Sequence, residues 1–185
     1  MSTPQLIPGH PNIKQLGFVN PYFFVTVYQS EPDTIFGTNH VADIGRTDGS
    51  AERITYVTFN VPPMSEFPGA NAETKAFLVP LPDTVDPNGS KVIETFDLQP
   101  GFQLPASFTF DTRPEPNNNL ASITYGGASG VTPIEMDIFV EDVPNYGGTQ
   151  AFEVRATGDN ANITFSTNPV NTHPNGMVLV IANVS

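Results

Sequence analysis

The three histidines, His10, His40 and His173, are the first residues to test for chemistry. An imidazole holds zinc or passes a proton only with a second ligand or a carboxylate at matching spacing, and none of the three has such a partner. Each stands in a polar, turn-rich stretch and reads as a solvated loop residue. Ser129, in Gly126-Gly127-Ala128-Ser129-Gly130, does not complete the glycine spacing of the strained elbow that exposes a nucleophilic serine, so a loop between strands explains it better. Cysteine is absent, which removes disulfides, thiolate metal sites and thiol nucleophiles together.

Carboxylates remain. Glu135, Asp137 and Glu141 alternate along one segment, where solubility and protection of a sheet edge account for them as well as acid and base work does. The oxygen-rich stretches 83–88, Glu141-Asp142 and 158–160 have side chains that calcium accepts. None has the spacing of a known calcium loop, and turns use Asp and Asn for local backbone bonds without any ion. No metal site, cofactor or catalytic residue is assigned, and the chain is expected not to be an enzyme.

Binding is better provided for. Tyr125 and Tyr146 stand beside glycine pairs on expected loops, where a ring can stack on a sugar or fill a protein groove. The competing role for each is to cap the end of the core. Acceptor triplets for N-glycosylation begin at Asn88, Asn162 and Asn183, and these matter only on a secretory route.

The elements that must position these residues are strands. Tyr22 to Tyr28 is aromatic and β-branched on both phases, Arg53 to Val61 is a second long strand closed by Pro62-Pro63, and Asp48-Gly49 suits the tight turn before it. Lys75 to Leu81 and Lys91 to Leu98, separated by the turn signal Asp86-Pro87-Asn88-Gly89, form the best hairpin candidate. A short strand is expected at Ser107 to Phe110, and Arg113 to Asn119 is an exposed loop. Ile134, Met136, Ile138 and Val140 alternate with Glu135, Asp137, Phe139 and Glu141, and Phe152, Val154 and Ala156 alternate in the same way with Glu153, Arg155 and Thr157. Asn162 to Ser166 follows, and Met177 to Val184, apolar on both phases, belongs in the middle of a sheet. The one helical turn expected lies around Ala70 to Thr74.

These signals predict an all-β, single-domain antiparallel β-sandwich of 8–11 short strands with little or no helix: residues 1–20 as an irregular N-terminal arm, possible along a sheet edge, and 21–185 as the sandwich. At 185 residues, with 38% hydrophobic side chains, such a domain buries roughly 70% of its unfolded surface. Fifteen Gly, 19 Pro and only 14% charged residues argue against helical bundles. Seven Lys and Arg against 19 Asp and Glu give a formal charge of −12, which repels nucleic acid and anionic membranes. Met1 to His10 contains no apolar run, so the chain as written reads as cytoplasmic, without signal peptide or membrane insertion, and as extracellular or wall-associated if Met1 begins a mature form.

Pro21-Tyr22-Phe23-Phe24-Val25-Thr26-Val27, then Pro32-Asp33-Thr34-Ile35-Phe36-Gly37-Thr38, Thr58-Phe59-Asn60-Val61-Pro62 and Phe77-Leu78-Val79-Pro80-Leu81-Pro82 resemble, in order and spacing, the fungal family named for the C-terminal half of the But-two protein. Ala156-Thr157-Gly158-Asp159 and Pro174-Asn175-Gly176 leading into Met177 to Val184 resemble its closing pattern. The resemblance implies a β-rich interaction domain without known enzymatic activity, named for binding the catalytic subunit of the activating enzyme of a ubiquitin-like modifier. Relatives often have cysteines near the positions of Lys75 and Pro144 and in the final strand, and this chain has none. No binding residue is carried over. The expected partner is therefore a protein, with a secreted or wall-associated carbohydrate-binding or structural sandwich as the alternative. The oligomeric state is left open.

Overall fold

The strand Gly176–Val184 is apolar on both phases because each of its faces meets a different cover. Met177, Leu179 and Ile181 enter the layer between two sheets, while Val178, Val180 and Ala182 pack outward against Leu6 and Ile7. The structure, a computed structural model, describes residues 6–7, 11–36, 41–47, 51–81, 84–85, 90–98, 103–105, 107–126, 134–136, 148–157, 162–166 and 176–185.

Among these residues there are twelve strands: β1 (Ile13–Val19), β2 (Phe23–Tyr28), β3 (Val41–Thr47), β4 (Ala51–Asn60), β5 (Thr74–Leu81), β6 (Thr84–Val85), β7 (Ser90–Asp97), β8 (Asn119–Gly126), β9 (Ile134–Met136), β10 (Thr149–Thr157), β11 (Asn162–Ser166) and β12 (Gly176–Val184). They form two antiparallel sheets. The smaller has the order β1-β12-β5-β9, and the larger runs β6-β11-β3-β4-β10-β7-β8, with β2 added on β4. Inward side chains from both sheets, among them Phe24, Val57, Phe59, Phe152, Leu78 and Leu179, make one buried layer. This is the β-sandwich that the period-two pattern predicts.

Several elements differ from the sequence reading. The arm assigned as irregular up to Asn20 contains β1, which pairs with β12 from Ile13↔Val184 to Val19↔Leu179 and forms a sheet edge. Its register shifts between Gln15 and Gly17, and Gly17 lies so close to Phe67 that a Cβ there would meet the ring at 3.1 Å. Strands β5 and β7 are not a hairpin. β5 pairs with β12 in the small sheet and β7 with β10 and β8 in the large one. Adjacent apolar runs were paired by sequence distance, whereas the connection between them changes sheets. The helical turn is a 3-10 turn at Met64–Glu66, not at Ala70 to Thr74. Strand β3 falls where the sequence reads as polar connection, β8 begins at the end of the loop expected over Arg113 to Asn119, and Ser107 to Phe110 is irregular.

Thr47 pairs with Ala51, so the chain reverses between them as expected. Met177 to Val184 is central in its sheet, between β1 and β5. Of the run from Ile134 to Val140, Ile134–Met136 is strand and pairs with β5; Ile138 and Val140 lie outside the described residues.

Candidate binding surface on the large sheet

The large sheet is apolar on its outer face as well. Val25, Val27, Ile54, Tyr56 and Ala151 point away from the layer between the sheets and are covered by Leu98, Leu104, Phe108 and Phe110. The cover is the chain between β7 and β8, which crosses this face as a strap. It is tied at one end by Leu98 N–H donating to Ala151 O (3.2 Å) and at the other by Asn117 and Asn118 N–H donating to Asp97, at 2.9 Å to its carbonyl and 2.6 Å to Oδ1. Between these ties, Thr109 and Thr112 close a turn through their hydroxyls. Arg113 lies over the Phe110 ring, 4.1 Å from its centroid, and donates to Phe110 O at 2.5 Å.

Beneath the strap sits a carboxylate. Glu153 of β10 stands opposite Tyr56 of β4 and Phe96 of β7, and its side chain is fully buried. Tyr56 Oη donates to Glu153 Oε2 at 2.6 Å, with Pro114 O at 3.1 Å. The hydroxyl has one proton, and the shorter, charge-assisted bond to Glu153 holds it. Arg155 donates Nε to Glu153 Oε1 and lies over the Phe96 ring, 4.7 Å from its centroid. Burial, then the Glu153 charge and hydrogen bond, push the Tyr56 phenol well above its ordinary value. Burial works against the Arg155 charge, but the hydrogen bond and charge of Glu153 outweigh it and raise its pKa. Sequence alternation puts Glu153 and Arg155 on a wet face. The missed signal is the apolar set Leu98, Leu104, Phe108 and Phe110, too many for a solvated loop.

At the Leu104 end of the described strap is a groove of about 290 Å³, lined by Tyr22, Phe23, Thr58, Asn60, Gln103, Leu104 and Thr149. Thr58 faces the groove because it shares the outer face with Tyr56 and pairs with Phe23. Tyr22 and Ile35, 61% and 58% exposed, are the large hydrophobic side chains left open to water among the described residues. Tyr22 borders this groove.

The other feature is an edge. β8 is the last strand of the large sheet and pairs only with β7 among the described residues. Tyr125 lies on it, opposite Lys91, and so belongs to a strand and not to a loop. Tyr146 lies outside the described residues, as do His10, His40, His173, Ser129 and the oxygen-rich stretches apart from Thr84 and Val85. The structure therefore does not bring Tyr125 and Tyr146 together as a described site, and the exposed tyrosine that it does show, Tyr22, was read only as part of a strand. Among the described residues no group of three or more His, Asp or Glu side chains is placed to hold a metal ion. No family model matches the chain, and no curated protein matches it in sequence.

Proposed function

We propose that this chain is a non-catalytic β-sandwich interaction module that takes an extended segment of a protein partner along the β8 edge. The edge strand itself carries the reading. Its sequence, Asn-Leu-Ala-Ser-Ile-Thr-Tyr-Gly over Asn119–Gly126, has no charged residue and no proline. An edge presents unpaired N–H and C=O groups, and proteins that must stay apart blunt it with lysine, proline or bulges. β8 has one register shift, near its start opposite Thr95 and Phe96, and the remainder is regular. Main-chain bonds to an added strand supply affinity, and alternate β8 side chains supply selectivity. The commitment of Glu153 to Tyr56 and Arg155 supports binding over acid–base chemistry. The resemblance to the But-two family suggests the partner, the catalytic subunit of the activating enzyme of a ubiquitin-like modifier.

The test is titration of that purified subunit against the chain and against Ser122→Lys, which puts a charge at an exposed position of the edge. The expected result is saturable binding that weakens by roughly tenfold or more in the variant, equivalent to about 1.4 kcal/mol, with an unchanged circular dichroism spectrum. Absence of binding by the parent chain, or equal affinity of the variant, overturns the proposal.

A further inference from the structure

We infer that the groove beside Tyr22 is a second binding site, for an uncharged, hydroxyl-rich ring: one unit of a neutral oligosaccharide. Tyr22 is braced and open at once. Its N–H donates to Thr58 O at 2.6 Å, and its ring meets the Phe23 ring edge to face, centroids 5.9 Å apart. Even so the side chain stays 61% exposed. A ring fixed in this way offers an aromatic face, negative at its centre, to the C–H groups of a sugar, and ordering it costs little entropy on binding.

A residue of the groove wall also has an unmet polar group. Thr58 is 1% exposed, yet its Oγ1 has no hydrogen-bond partner. A buried hydroxyl without a partner is uncommon, because its lost hydration is not repaid. Thr58 lines the groove, and a rotation about its χ1 brings the hydroxyl to a ligand hydroxyl that repays it. Around Thr58, Asn60 and Gln103 each carry an amide carbonyl and N–H₂, and Thr149 Oγ1 donates to Asn60 Oδ1 at 3.3 Å. Neighbouring hydroxyls on a pyranose offer the complementary donors and acceptors.

Charge selects against other ligands. None of the lining residues is Asp, Glu, His, Lys or Arg, so neither an anion nor a cation finds a counter-ion there, and the formal charge of −12 repels acidic sugars and phosphates. The volume, about 290 Å³, lies at the small end of ligand sites, which start near 300 Å³. It suits a ring and not a folded surface. The groove is built on β2, β4, β10 and the strap, with β7 between it and β8, so its ligand does not compete for the edge.

The experiment is isothermal titration of the full chain with laminarihexaose, cellohexaose, chitohexaose and mannohexaose, and with hexagalacturonate and a decaproline peptide as contrasts. At least one neutral sugar is expected to bind, with hexagalacturonate silent. Tyr22→Ala should weaken that binding roughly tenfold or more, and Ile35→Ala should leave it unchanged. Thr58→Val should weaken it as well, while the free variant unfolds at the same or a higher denaturant concentration, since an unpaired hydroxyl has been replaced by an isosteric methyl. No binding of any neutral sugar up to about 10 mM, far weaker than the ~1 mM end of the usual affinity scale, overturns the assignment. So does binding that Tyr22→Ala leaves intact, or decaproline binding in the absence of sugar binding. Capture of the protein partner at β8 is read separately and is expected to survive Tyr22→Ala.

Discussion

Glu153 carries its charge where no water reaches it, so both of its partners must be in place. Tyr56 supplies a hydrogen bond of 2.6 Å and Arg155 supplies the counter-charge. The two losses differ in kind. Tyr56→Phe removes a bond to a charged group and is expected to cost about 1.5–3 kcal/mol. Arg155→Gln leaves an uncompensated buried carboxylate and is expected to cost about 3–5 kcal/mol. Urea unfolding of both variants checks the order, and an Arg155→Gln chain within about 1 kcal/mol of the parent would show that the carboxylate does not depend on its pair. Nothing in the local sequence marks Glu153 as buried. It occupies the polar phase of an alternating strand, and the residues that cover it lie far from it in the chain.

At the level of elements, the strap is the least ordinary part of the fold, since it is irregular chain that buries four large apolar residues, Leu98, Leu104, Phe108 and Phe110. Its turn at Thr109 and Thr112 and its ties to Ala151 and Asp97 hold it against the sheet without strand pairing. Phe108 packs edge to face on Tyr56, centroids 5.1 Å apart. Phe108→Ala is therefore expected to lower stability by about 3–5 kcal/mol and to open the outer face of Val25, Val27 and Ile54 to a hydrophobic dye. Loss of stability without dye binding would mean that the strap closes over the gap. The same variant should weaken sugar binding, because Leu104 and Gln103 of the strap form one side of the groove. The strand β8 escaped the sequence reading because Asn119 and the glycines after Tyr125 look like turn signals. Its partner, β7, is what makes it a strand.

For the molecule as a whole, alkali is the condition that tests the phenols of Tyr56 and the half-buried Tyr28. Burial and then Glu153 raise Tyr56, and burial and then Asp43, which accepts the Tyr28 hydrogen bond at 3.3 Å, raise Tyr28. In the unfolded chain both ionise near pH 10, while the fold keeps their protons to higher pH. The fold therefore binds more protons than the unfolded chain above about pH 10. The stability from these two residues is complete below that pH and falls as pH rises through it. Urea titrations at pH 8 and about pH 11 should show a steeper loss for the parent than for Tyr28→Phe/Tyr56→Phe, and parallel losses would remove tyrosine ionisation as the cause. Added salt should relieve only the part of the loss that comes from the acidic net charge.

The layered architecture was legible in the residues because alternation is a local property of a pleated strand: Val154 and Phe152 face inward whatever their neighbours are. Charge, the lack of thiols and the two-phase apolar character of Met177 to Val184 were equally plain. Neighbour relations were not. β5 joins β12 and not β7, Ile13 to Val19 is drawn out of its arm by the last strand of the chain, and Tyr56 meets Glu153 across 97 residues. Such pairings are fixed by how whole faces are covered, so the buried carboxylate, the strap and the groove at Tyr22 exist only once all the strands are in register.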